Sequence, residues 1–275
     1  MTYSICPNGK LRPDFSCSVQ FPMDSHYSWF QSLADQLTSP DVAIISDDED
    51  DRPTQYLFSS PHLTGLSPED TLCRAKKLLA LLSGAMLVLE YPWMERPLSI
   101  QGSWYWDEGK RERFFTSNDP SSAREFPEEI NKFSYRAWPL VRPLSIEGKL
   151  LFLCHFDQVT YSILTIVGHL GITYASLYSV LDCLKGAGRM TDNSVARLGG
   201  ATKAELKRFT ATANNFGVLG VQARHGNLDW AVPKQPSLPL DESRKLILGA
   251  AKQFLLGRVT SHFPRAWATA DGPAL

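Results

Sequence analysis

The sequence predicts an α+β protein. A mixed, β-rich N-terminal domain with one long helix (residues 1–153) precedes an all-α helical bundle (residues 154–260) and a loose tail (261–275). Three observations carry this. Apolar and polar residues alternate as in strands over Phe15–Phe21 and through much of Pro97–Leu153. One strongly capped helical pattern occupies Ser67–Leu89. From Phe156 onward, apolar residues recur at three- and four-residue spacing.

In chain order, the first 65 residues are irregular apart from the "FSCSVQF" strand pattern. The acidic run "SDDEDDR" (Ser46–Arg52) between "DVAII" and "QYLFSS" reads as a solvated loop rather than a metal site. Ser67 then suits an N-cap, Pro68 the first helical position and Asp70 the closing residue of an S-x-x-D box. Leu72, Ala75, Leu79, Leu82 and Met86 give that helix one apolar face. Next, "LSIQGSWYW" and "RERFFTS" flank "DEGK", a hairpin turn in which Gly109 supplies positive φ. The heptapeptide "RPLSIQG" (Arg96–Gly102) returns as "RPLSIEG" (Arg142–Gly148), which reads as two similar strand starts. Helices are expected at about Phe156–Gly168, Tyr174–Lys185, Lys203–Asn214 and Asp241–Arg258, the third opened by a Thr202–Glu205 capping box. In the last, Leu246, Ile247, Ala250, Phe254 and Leu255 share a face, and "PKQPSLP" (Pro233–Pro239) is an extended connector before it.

Composition narrows the function classes. A hydrophobic fraction of 43% and a charged fraction of 21% exclude a disordered or fibrous chain. The N-terminus lacks a basic region leading into an apolar core, so a cytoplasmic protein is expected. Five scattered cysteines form no C-x-x-C pair, so the sequence points to free thiols and to no metal or cofactor. Gln158–Leu181 is uncharged and long enough to span a bilayer, but its polar residues and its Asp157 and Asp182 flanks favour two buried helices joined near Gly168–Thr173, with no membrane contact. The halves differ in charge. Residues 158–275 hold 13 Lys/Arg against 7 Asp/Glu, and residues 1–157 hold 15 against 22, so the basic C-terminal half permits an anionic partner.

The strings "LYSVLDCL", "LKRFTATAN", "ARHG" and "LDESRKLILGAAKQFL", with "AKKLLALLSGAMLVL" upstream, resemble a family of uncharacterised bacterial two-domain proteins over most of Pro68–Gly257. More distantly, the helical half is similar to the HEPN superfamily. That resemblance implies a HEPN-like bundle, and either a binding module or a metal-independent ribonuclease of bacterial stress or defence systems. HEPN ribonucleases carry an Arg, a polar residue and a His several positions on. Here Arg224 and His225 are adjacent, and Arg208 has no His at that distance.

The segment Arg208–Asn227 therefore holds the candidate site. For metal-free RNA cleavage, His225 would serve as base and Arg224 would stabilise charge on phosphate. Asn214 and Asn215 would orient a phosphate or fix the imidazole tautomer, and Gly217, Gly220 and Gly226 would admit a ligand close to backbone. Asp182, one turn after Tyr178, would pair with Arg224 or Arg208, and a symmetric homodimer would bring two sites together. The same residues also fit a structural network, with the asparagines ending a helix in the left-handed conformation and Arg224–His225 satisfying carbonyls or Asp182. His155 and His169 read as core or helix-end groups, and His26, His62 and His262 have no acidic or cysteine neighbour that suggests a ligand set. The expected function is a helical module that binds a protein or RNA partner. A ribonuclease using Arg224 and His225, or a ligand sensor acting through the N-terminal domain, are the alternatives.

Overall fold

The computed structural model describes residues 4–5, 11–12, 15–20, 27–47, 55–63, 68–91, 94–107, 110–114, 144–225 and 236–263. The acidic run beyond Asp47, His26, Gly109, Gly226 and the C-terminal tail, on which the sequence reading makes expectations, lie outside these residues. The chain forms two compact units, one drawn from Met1–Ala80 and Leu98–His155, the other from Leu81–Pro97 and Phe156–Ala266.

The first unit is built on antiparallel strands. A small ladder pairs β1 (Ser4–Ile5) with β2 (Leu11–Arg12). The main sheet has the order β4-β5-β3-β6-β7, formed by β3 (Phe15–Gln20), β4 (Ala43–Asp47), β5 (Gln55–Ser59), β6 (Ser99–Asp107) and β7 (Lys110–Phe114). The predicted β3 is present, and β6 and β7 close around two residues with Asp107 opposite Lys110, the register that "DEGK" implies. The helix α1 (Tyr27–Gln36), which the sequence reading did not foresee, precedes β4. Val42 and Ile44 are buried while Ala43 is exposed, the alternation of a half-buried edge strand, whereas β5 beside it is buried on both faces through Tyr56, Leu57 and Phe58.

The repeated heptapeptide does not make two strands. Its first copy leads into β6, but its second starts helix α3 (Ile146–Leu153), where Ser145 caps the amide of Gly148. The residues after each copy make the difference. "SWYW" supplies aromatic strand formers, while "KLLFL" supplies helix formers, and Glu147 sits in the first helical turn where the helix dipole favours it. Gly148 is required by packing, because a Cβ there would overlap the carbonyl of Thr38. Ser145 N–H also donates to that carbonyl at 3.1 Å, so the start of α3 is fastened to the end of the α1 segment.

The long helix α2 (Pro68–Val88) ends within one residue of its expected boundary. All five residues of its expected face are buried, but Leu78, Leu81, Ser83, Leu87 and Val88 are buried too. The single-face expectation is thus corrected: from Leu78 onward this is a core helix, apolar almost all round.

The second unit is helical. After α2 come α4 (Gln158–Leu170), α5 (Tyr174–Lys185), α6 (Asp192–Leu198), α7 (Lys203–Asn214), α8 (Phe216–Leu219) and α9 (Leu240–His262). Reciprocal capping boxes open three of them, Thr173 with Ser176, Thr191 with Ser194 and Thr202 with Glu205, the last as expected. The uncharged stretch Gln158–Leu181 is broken between α4 and α5, and among the described residues no single helix is long and apolar enough to cross a membrane. On α9, which packs on α5 and α6, Leu246, Ile247, Ala250 and Leu255 are buried, and Phe254 lies half-buried under the Arg258 guanidinium.

Helix α4 starts at Gln158 rather than Phe156 because Asp157 is its N-cap. This carboxylate is 4% exposed, accepts from Val159 N–H and Thr160 Oγ1, and receives Arg258 Nε and Nη2 at 2.8 and 2.9 Å. Burial alone would raise Asp157, but the Arg258 and Thr160 hydrogen bonds outweigh it and hold the carboxyl below its ordinary value. A depressed folded-state value adds stability that is full above the unfolded carboxylate range and lost as pH falls through the folded value. Asp157→Asn should therefore cost about 2 kcal/mol near neutrality, the scale of charge-assisted bonds with a partly hydrated partner. Urea unfolding at a series of pH values should show that cost constant above roughly pH 5 and shrinking below about pH 4.

Candidate functional site

Among the described residues, two places gather chemistry-bearing side chains, one in each unit. In the first unit, Asp41 lies two residues before β4 and His62 three residues after β5, in a 3-10 turn (Pro61–Leu63). Antiparallel pairing sets Ala43 opposite Ser59, so the register brings Asp41 and His62 to the same end of the hairpin. Each follows a Ser-Pro pair whose serine hydroxyl accepts from its backbone N–H. Ser39 Oγ accepts from Asp41 N–H at 3.1 Å, Ser60 Oγ accepts from His62 N–H at 3.1 Å, and Ser60 Oγ donates to the Asp41 carbonyl. Arg74 Nη1 holds the His62 carbonyl at 2.9 Å. His155, just past the end of α3, completes the group because the start of α3 is fastened at Thr38.

The three side chains converge on one atom. His62 Nε2 lies 2.8 Å and His155 Nε2 2.7 Å from Asp41 Oδ1. All three side chains are 5% exposed or less. Asp41 Oδ2 is buried and makes no hydrogen bond among the described residues. Burial would raise Asp41, but hydrogen bonds from His155 and His62, with their charge, outweigh it and hold the carboxyl below its ordinary value. Near neutral pH the group is a buried carboxylate facing two imidazoles.

This constellation does not show in the local sequence, where His62 has no acidic neighbour that suggests a ligand set and His155 reads as a core group. Asp41 is 21 residues from His62 and 114 from His155. A usable signal was present. "SPD" at Ser39–Asp41 and "SPH" at Ser60–His62 are one motif, and each flanks the outer end of a strand.

In the second unit, the predicted residues of Arg208–Asn227 fall into separate roles. Asn215 does not take the left-handed conformation; its φ is −90°, and its Oδ1 caps α8 by accepting from Val218 N–H at 2.9 Å. That correction has a plain cause, since a second helix begins at once and needs a cap. Asn214 Oδ1 is buried without a hydrogen bond among the described residues. Positive φ falls instead on Gly220, at φ +57° and ψ −132°, a conformation that glycine adopts readily. Arg208 Nε donates to the Pro236 carbonyl in the connector. Arg224 is the arginine that meets Asp182, Nη2 to Oδ2 at 2.8 Å, and its guanidinium lies 4.0 Å over the Tyr178 ring. Its backbone N–H donates to the Ala213 carbonyl. His225 comes next, half-buried, at the end of the described segment. His169 is exposed in the last turn of α4, and the exposed His262 packs edge-on to Phe156.

No protein family model, curated protein or solved structure matches this chain.

Proposed function

We propose that the chain is a binding protein whose helical unit engages a protein partner through the turn Phe216–Gln222, without catalysis at Arg224 and His225. The carrying observation is that the Arg224 guanidinium is already engaged by Asp182 and stacked on Tyr178. A phosphate would have to compete with the Asp182 carboxylate for the guanidinium. The same clamp, with the Asn215 cap at the other end, fastens a turn on which Val221 is 93% and Val218 36% exposed. A fixed turn presenting aliphatic side chains loses little conformational freedom when it docks, which favours a protein partner over RNA. A HEPN-like identity for the bundle, and a bacterial stress or defence setting, belong to this proposal through the sequence resemblance.

The test has two arms. Purified protein incubated in EDTA with total RNA and with tRNA should cleave no more than Arg224→Ala and His225→Ala. Photo-crosslinking from position 222, exposed beside Val221, should capture a discrete protein in cells that the same probe in a folded Val221→Asp chain does not. Cleavage lost in both folded variants would overturn the reading in favour of a ribonuclease, and crosslinking to RNA would overturn the choice of partner.

A further inference from the structure

We propose that Asp41, His62 and His155 bind one divalent transition-metal ion of the zinc class. This goes beyond the partner-binding reading and is independent of it, because the residues belong to the other unit.

The donor atoms of the three side chains all lie within 4.8 Å of one another. The donor set is two imidazole nitrogens and a carboxylate, which suits zinc and its neighbours rather than calcium or magnesium, whose sites are built from oxygen. A tetrahedral ion about 2.0–2.1 Å from each donor spaces its ligands roughly 3.3 Å apart. On binding, the separations of 2.7 and 2.8 Å would open by about half an ångström, and the two Nε2 atoms, within 4.8 Å of each other, would settle near the same spacing.

Asp41 Oδ2 points the same way. A buried carboxylate oxygen without a hydrogen bond is costly, and the hydrogen bonds from the two imidazoles satisfy only its sister atom. A divalent cation on the carboxylate balances the buried negative charge that Oδ2 shares, which lowers that cost. Each ring would then present its Nε2 lone pair, with its proton on Nδ1. Three protein donors are one short of a closed structural set, so a water or an exogenous ligand would take the fourth position. Cys154, adjacent to His155, is not a donor here; its Sγ is directed to the Leu150 carbonyl at 3.3 Å.

The full-length protein, stripped with chelator and dialysed, is titrated with Co2+ and with Zn2+. The expected result is one ion per chain by elemental analysis, visible Co2+ absorption of a low-symmetry nitrogen–oxygen site, and no near-ultraviolet thiolate charge-transfer band. His62→Gln and His155→Gln should each weaken Zn2+ binding by about a hundredfold or more, beyond the effect of losing an outer-shell partner. His169→Gln and His262→Gln, both exposed and outside the cluster, should leave it unchanged. Failure of the folded wild-type chain to take up stoichiometric Co2+ or Zn2+ overturns the proposal, whatever the variants do. So does binding that survives in a folded His155→Gln chain, or a thiolate band that moves the site to a cysteine.

Discussion

Gly84→Ala should lower the unfolding free energy by about 3 kcal/mol or more, the upper end of what overpacking costs. A Cβ on Gly84 would overlap the carbonyl oxygen of Leu164 and crowd its Cα, so no rotamer change in a neighbour relieves it. The backbones of α2 and α4 would have to move apart, opening the layer that contains Met86, Ile163 and Leu164, all essentially fully buried. Alanine's better helix propensity returns roughly 1 kcal/mol, too little to reverse the sign. Gly257→Ala is the matched control. It lies on α9 with nothing within 4 Å of a Cβ, so the same change should stabilise by several tenths of a kcal/mol. Urea midpoints of the two variants moving in the same direction would contradict the packing account.

Asp41→Ala should cost about 3 kcal/mol in chelator-treated protein, because it removes the acceptor that two buried imidazoles share and leaves a void. Asp41→Asn keeps the volume and one acceptor oxygen, so its cost should be near half of that. Since the folded state holds the Asp41 carboxyl below its ordinary value, the deficit of Asp41→Asn should be full above the unfolded carboxylate range and fade as pH falls below about 4. A cost of Asp41→Asn that stays the same at every pH would mean that the carboxylate charge contributes nothing.

Legibility in the sequence tracked the range of the interaction involved. Tyr174–Lys185 and Lys203–Asn214 coincide with their expected limits because both ends of each helix are specified locally, by a threonine cap and by Gly186 or the Asn215 cap of the next helix. The short α6 escaped notice although Thr191 caps it, since seven residues carry too little periodicity to register. The two heptapeptide copies differ only at Gln101 and Glu147, and their fates diverge mainly through the residues after them, with Glu147 favouring the first helical turn of the second. Asp182 and Arg224 could be paired on paper because few acidic groups compete in the basic half. The Asp41 cluster could not, because the strand register of β4 and β5 and the docking of α3 on Thr38 create it, and neither is a local property. The Ser-Pro-Asp and Ser-Pro-His turns were its only trace in the sequence.

The separation of those three residues has a consequence during synthesis. Asp41 and His62 leave the ribosome close together, and the β4–β5 hairpin that unites them can form early. His155 emerges more than ninety residues later. Until then the hairpin carries a carboxylate with half of its imidazole partners, at the mouth of a loop whose closure costs entropy that grows only slowly with length. Docking of α3 is therefore the step that completes the polar core of the first unit. A nascent chain arrested shortly before residue 146 should keep Asp41 and His62 open to solvent, and one released past residue 155 should bury them.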